Sequence, residues 1–215
     1  KEYWQAIVKH HQYLSELMSR SPGITIAALD YMTNIARCII YPKIISDDKS
    51  QLITEAATKD RLTHLYTRNV FDVALEKQCT QAREHGVPVS LVMLDIDDFK
   101  HINDTFGHVC GDHVLTEIGD SIVACIRDTD IPARYGGEEL AIIMPRTVIE
   151  DALIIAERLR SIIASNKMGG VKVTTSVGVA VTNKNQETSE LLIKSADRAL
   201  YLAKSSGKNA VCIEQ

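Results

Sequence analysis

The sequence predicts an α+β domain preceded by an all-helical segment, and three observations carry that prediction. From residue 68 onward, helical apolar spacing alternates with short apolar runs of strand length, such as Val89 to Leu94 and Leu140 to Met144. A Gly136-Gly137 step separates two of these runs, Ile131 to Tyr135 and Leu140 to Met144. It reads as a tight hairpin in which glycine reaches positive φ without a Cβ clash. Residues 1–58, by contrast, carry only the 3.6-residue spacing of helices. Together these imply a sheet with helices packed on it, behind a helical leader.

The elements follow in order. Trp4, Ile7, Val8, His11, Leu14 and Leu17 give one amphipathic helix, broken at Ser21-Pro22-Gly23. Residues 24–40 are apolar on most faces, with Ile24, Ala28, Tyr31, Ile35 and Ile39 in one stripe, as in a helix buried in a bundle or dimer interface. Tyr41-Pro42 ends it, because the residue before proline avoids the α region. Ser46-Asp47-Asp48 supplies an N-cap and early acids for a third helix to about Thr58, with Leu52 and Ala56 placed for a coiled-coil seam. Beyond it we expect a helix at 68–84, a strand at 88–95, a short helix near 99–105 and a helix at 111–126. The hairpin at 131–144, a helix at 147–165 and a strand through Val171, Val173, Val177, Val179 and Val181 come next. A helix at 188–204 stops at Gly207, and a last strand covers 209–213.

Composition excludes several classes. The net charge of −4 lacks the basic footprint of a general nucleic-acid binder. The five cysteines are odd in number and unclustered, and read as reduced thiols of a cytoplasmic domain. The seven histidines lack metal-ligand spacing, since His10 and His11 are too close for two ligands on one helix face. No apolar stretch approaches the ~20 residues of a membrane span. With no signal peptide and no initiating Met, the chain reads as part of a longer protein, which could itself be tethered to a membrane.

Two acidic elements carry the chemistry. The apolar run Val89 to Leu94 ends on Asp95, at the end of a buried strand where α/β domains place metal ligands and catalytic groups. Glu138 and Glu139 follow the Gly-Gly step. A buried pair of anions repels unless a cation sits between them. If the fold unites Asp95 with Glu138, they make a hard oxygen site suited to Mg²⁺. A bare GGEE would more simply be an exposed turn, and Asp97 or Asp98 simply a helix N-terminus where acids favour the dipole.

Five separated motifs, in order, strongly resemble the GGDEF domain family of diguanylate cyclases. They are Asp60-Arg61-Leu62-Thr63-His64-Leu65, Leu94 through Asp104, Phe106 through Asp112, Arg134 through Leu140, and Ala199 through Asn209. The resemblance covers 59–215 and leaves 1–58 as a helical dimerisation or signalling segment. It implies a palm-like nucleotidyl-cyclase fold with a mostly antiparallel central sheet. It also implies a homodimer in which each copy brings one GTP, giving cyclic di-GMP and two pyrophosphates.

Residue by residue, the resemblance implies that Asp95, Glu138 and the Ile96 carbonyl hold Mg²⁺ or Mn²⁺, two ions per half-site. Glu139 holds the second ion or helps deprotonate the attacking 3′-hydroxyl. Lys100 stabilises charge on the transferred phosphate, Lys204 and Lys208 meet the triphosphate, and Phe99 supports the phosphate loop. Asn103 and Asp112 read guanine, with His108 close to the nucleotide. Taken alone, Lys204 and Lys208 would be solvated lysines, Asn103 and Asp112 helix caps, and His108 a loop residue. Arg127 and Asp130 match an Arg-x-x-Asp product-inhibitory site, with Arg158 completing it from a neighbouring domain. Outside that resemblance, residues 127–130 would be a solvated charge run. Two departures are Leu140 in place of the usual phenylalanine and Lys208 where the family often has arginine. A catalytically silent cyclic di-GMP receptor is the competing expectation, and a sensor upstream of or within 1–58 a further one.

Overall fold

The computed structural model describes residues 2–19, 21, 23–36, 58–182 and 188–214. The chain divides into two compact units, Lys1–Gln51 and Leu52–Gln215. In the first, α1 (Glu2–Met18) is followed by α2 (Ile24–Asp30), which continues as one π-helical turn over Tyr31–Ile35. Ile7 is buried in the α1 stripe, while Trp4 and Leu17 lie exposed. His10 bonds Asp30 at 2.6 Å between Tyr13 and Tyr31, and His11 faces Ser21. The expected helix from Ser46 lies outside the described residues, apart from its end at Thr58, as does the expected stop at Tyr41-Pro42. Among the described residues no helix is long and apolar enough to cross a membrane.

The second unit is built on a six-stranded sheet in the order β1-β3-β4-β2-β7-β8. The strands are β1 (Tyr66–Thr67), β2 (Val89–Ile96), β3 (Ile131–Arg134), β4 (Glu139–Pro145), β7 (Thr175–Val181) and β8 (Val211–Ile213). Its centre is antiparallel, with β2 between β4 and β7, and the two edge strands pair parallel. The α+β class and the mostly antiparallel palm-like sheet are therefore as expected. All eight residues of β2 are buried. That is why the sequence there is apolar but for Ser90, whose buried hydroxyl donates to the Thr147 carbonyl, and Asp95 near the strand end.

Helices α3 (Arg68–His85) and α7 (Ser189–Ser205) cover one face, where Phe71, Leu75, Ala196 and Leu200 pack on Leu91, Met93, Ala141 and Ala180. On the other face, α4 (Phe99–Phe106), α5 (His108–Cys125) and α6 (Ile149–Ser165) meet Val92, Leu94, Ile142, Val177 and Val179. Small residues on the first face let α7 approach closely. A Cβ on Gly178 would overlap the Ala196 carbonyl oxygen and the Leu200 amide.

The last strand begins at Val211 rather than 209 and α6 at Ile149 rather than 147, and two elements differ by more than this. The valine-rich strand is split: β5 (Lys167–Met168) and β6 (Val171–Lys172) form a separate small hairpin, and β7 begins only at Thr175. Gly169 and Gly170, at φ 59° and 82°, turn β5 back onto β6, and the chain leaves that hairpin after Lys172 before β7 begins. Helix α5 starts three residues before the expected position, at His108, because Gly107 at φ 82° starts the helix without a side-chain cap.

Candidate active site

The sheet register sets Asp95, near the end of β2, directly opposite Glu139, the first residue of β4. Glu138 sits one residue earlier, in the hairpin tip. The Tyr135 and Gly136 N–H groups both donate to the Glu139 carbonyl, at 2.9 and 3.1 Å. Gly136 and Gly137 were expected at positive φ, and neither adopts it. Space is what Gly136 provides: a Cβ there would overlap the Glu139 carboxylate, which folds back over the turn.

Charge at this end of the sheet is tightly coupled. Lys204, in the last turn of α7, places Nζ 2.7 Å from Asp95 Oδ2. Burial still pushes the Asp95 carboxyl above its usual range, against the pull of Lys204. Burial, and then repulsion from Asp95 and Glu139, raises Glu138 as well. Lys208 pairs with Asp98 at 2.6 Å, and Asp98 itself stands at φ 55° where α4 begins. Asp98 therefore does occupy a helix start, though its carboxylate makes no cap bond there. Asp97 does not take the helix-start role expected of it. It is buried, and its carboxylate accepts bonds from Thr174, Ser176 and the Asn209 amide.

An ion pair that the sequence reading did not assign locks the hairpin. Arg134 donates to both Asp60 oxygens at 3.2 Å and to the Gly137 carbonyl at 2.7 and 3.2 Å. Asp60 is itself fixed by the Thr63 amide and hydroxyl, both at 2.8 Å. Although burial opposes it, these bonds and Arg134 hold the Asp60 carboxyl below its usual range. The signal was present: an aspartate with a threonine three residues on is the pattern of a side chain closing its own turn.

The expected base readers gather on adjoining helices. Phe99, Lys100 and Asn103 lie on α4, and His108 and Asp112 on α5. A Cβ on Gly111 would overlap Asn103 Oδ1, so the missing side chain lets Asn103 reach the α5 backbone beside Asp112. Asp112 lies inside α5 rather than before it, which removes the N-cap alternative, and its carboxylate is exposed. Lys100 and His108 are exposed, while Phe99 is buried as the first residue of α4.

The Arg-x-x-Asp segment closes on itself, with the Arg127 amide donating to Asp130 Oδ2 at 3.0 Å. Asp130 Oδ1 is buried without a hydrogen-bond partner among the described residues. The Arg127 side chain is exposed and lines an open groove of about 420 Å³ with Gln78, Gln81, Thr129, Pro145 and Arg146. Arg158 turns onto the Cys125 carbonyl and caps the end of α5.

A mainly antiparallel sheet presenting opposed carboxylates at its strand ends, with Lys204 arriving from the last helix and Lys208 from the loop beyond it, defines a palm-like domain of the nucleotidyl-cyclase class. The chain belongs to the diguanylate cyclase GGDEF domain family, whose model matches residues 57–210. It is 44% identical over 163 residues to the response regulator PleD of Caulobacter vibrioides, covering 73% of this chain and 36% of that protein. Over 209 residues it is 35% identical to diguanylate cyclase A of Treponema denticola, covering 94% of this chain and 55% of that one. The chain thus spans a third to about half the length of these relatives. Among solved structures it resembles the GGDEF domain of DgcB from Caulobacter crescentus in complex with c-di-GMP. There the TM-score is 0.69 and the identity 36%, over 73% of this chain and 95% of that one.

Proposed function

We propose that this domain is a diguanylate cyclase, joining two GTP into cyclic di-GMP with release of two pyrophosphates, each copy of a homodimer bringing one GTP. The supporting observation is the convergence of Asp95, Glu138 and Glu139 at one end of the sheet, with Lys204 already on Asp95. A silent receptor would have no need of that set.

The donor chemistry fits Mg²⁺ or Mn²⁺. Asp95 and Glu138 supply hard oxygens, both carboxyls are driven up by burial, and Asp95 adds repulsion at Glu138 that a cation would relieve. Among the described residues no group of three or more such side chains stands ready to hold an ion alone. Two carboxylates complete such a site together with substrate phosphates. Asp95, Glu138 and the Ile96 carbonyl would hold one ion, with Glu139 toward a second. When bound, the ions lower the pKa of the attacking 3′-hydroxyl and neutralise the leaving pyrophosphate. Glu139 takes up or steers the 3′-hydroxyl proton. Lys204 moves from Asp95 toward the triphosphate, Lys208 grips its outer oxygens, and Lys100 offsets charge on the transferred phosphate. Buried Phe99 fixes the start of α4 beneath them.

Asp112 accepts from guanine N1–H and the exocyclic amine together, a donor pair that adenine lacks. Asn103 reaches the same helix, and His108 borders the nucleotide. Inosine triphosphate, which lacks that amine, makes the check. We expect Asp112→Ala to raise the KM for GTP and to shrink the preference for GTP over inosine triphosphate by about tenfold. An unchanged preference would remove Asp112 from recognition.

Product inhibition is proposed at Arg127 and Asp130. The exposed guanidinium beside a groove suits a purine face, and the unpartnered Asp130 oxygen suits a guanine donor. Arg158 would join from a neighbouring copy after leaving Cys125. Burial raises the Asp130 carboxyl above its ordinary 3.8 in the folded state. The folded chain therefore binds that proton more tightly than the unfolded chain, and stability falls as pH rises from about 4 through the raised value. Asp130→Asn is expected to raise Tm at neutral pH, with the advantage fading as the pH is lowered toward 4. It is also expected to relieve inhibition by cyclic di-GMP, as is Arg127→Ala. Inhibition as strong as the parent's in both variants would reject the site. Residues 1–58 are proposed to set dimer geometry and to pass on a signal from an upstream region.

A further inference from the structure

The loop that carries Lys208 is strained and held from two sides. Gly207, Lys208 and Asn209 adopt φ of 115°, 64° and 44° in succession, a run of left-handed backbone that costs two non-glycine residues conformational energy. Such a run persists only where its surroundings over-determine it. From beneath, buried Asp97 accepts from the Asn209 amide at 3.0 Å, from Thr174 Oγ1 at 2.6 Å and from Ser176 Oγ at 2.7 Å. Both its oxygens thereby accept hydrogen bonds from within the fold, which gives it a different task from that proposed for Asp95. From the outside, Arg160 on α6 donates to Asn209 Oδ1 at 2.7 Å and to its carbonyl at 3.4 Å. Arg160 is in turn held by Glu157, with bonds of 2.9 and 2.6 Å.

We propose that Asp97 and Arg160 clamp Asn209 and thereby fix where the Lys208 ammonium stands, making them positioning residues for the triphosphate. The inference rests on the reading of this site as a GTP site. Its physical reason is entropic. A lysine on a free loop spreads its charge over many rotamers and backbone states, whereas a clamped backbone leaves only the side chain to be ordered on binding. In the resting structure that restricted ammonium falls on Asp98, at the start of the helix bearing Lys100. Asp98 is the more exposed partner of that pair, so a bound phosphate can compete for the ammonium. Neither Asp97 nor Arg160 touches nucleotide in this scheme, so their effect must pass through Lys208.

The experiment compares the parent, Arg160→Ala, Asp97→Asn and Lys208→Ala, and the Arg160→Ala/Lys208→Ala double variant. Each is titrated calorimetrically with an α,β-methylene analogue of GTP in Mg²⁺ and assayed for kcat and KM. Arg160 is half-buried on the outer side of α6, so its removal threatens the fold less than loss of buried Asp97. We expect Arg160→Ala to weaken analogue binding and raise KM by about tenfold, with kcat within about twofold of the parent. Asp97→Asn, which keeps the shape but changes the bonding, is expected to move KM in the same direction. In the Lys208→Ala background, Arg160→Ala is expected to cost nothing further, and amide exchange at Asn209 to quicken in every Arg160→Ala protein. Unchanged affinity in Arg160→Ala, or equal losses with and without Lys208, would overturn the clamp and leave the GTP site standing. A parent that binds no analogue and turns over no GTP would instead overturn the functional reading, and this inference with it.

Discussion

Glu139→Gln is expected to lower kcat by on the order of 10³-fold while leaving the fold and the KM for GTP close to the parent's. The residue is held by its backbone: Tyr135 and Gly136 both donate to its carbonyl, and the β2–β4 register sets it against Asp95. An amide in that position keeps the same length and rotamers. What it loses is the negative charge that receives a proton from the 3′-hydroxyl or holds a cation beside it. The change should therefore fall on turnover rather than on binding, which is carried by Lys204, Lys208 and the base readers. Chromatographic separation of cyclic di-GMP, with pyrophosphate release measured in parallel, gives the readout. Parent-level turnover in Glu139→Gln would remove the residue from the chemistry. A parent that makes no product but binds cyclic di-GMP tightly would favour the receptor reading.

How far the sequence spoke depended on whether the determining contacts were local. Strand β2 was legible because burial on both faces leaves a run that is apolar but for Ser90, and the end of α7 because its apolar spacing runs up toward Gly207. The motifs led to the expectation that Asp95 and Glu138 come together, whereas the register that sets Asp95 against Glu139 was not legible in them. Two features escaped for a common reason. The roles of Asp97 and of the Asp60–Arg134 pair depend on partners far away in sequence, and no local pattern announces Thr174, Ser176 and Asn209 as the neighbours of one carboxylate. The valine alternation could not reveal that two glycines fold its first members into a separate hairpin. The Gly-Gly step was located correctly but for the wrong cause: neither glycine takes a positive φ, and what Gly136 supplies is room for the Glu139 carboxylate three residues on.

Gly178→Ala is expected to destabilise the domain by about 3 kcal/mol or more, the upper end of what overpacking a core costs. Its backbone is not left-handed, so conformational strain is not the reason. A Cβ there would meet backbone rather than a yielding side chain: the Ala196 carbonyl, the Leu200 amide, and the Leu200 Cα at 2.8 Å. The helix must lift as a body, and α7 cannot lift without opening the packing of Leu192, Ala196 and Leu200 against the sheet. Gly137→Ala is the matched control, since nothing lies within 4 Å of a Cβ at that position. Its stability should stay within about 0.5 kcal/mol of the parent, as for substitutions in open space. Urea unfolding of the two variants measures the difference. The same displacement reaches the chemistry, because α7 carries Lys204 to Asp95 across 2.7 Å. Gly178→Ala protein that remains folded at low temperature should therefore bind the GTP analogue more weakly than the parent. Parent-like stability and affinity together would show that α7 is not seated on the sheet by this glycine.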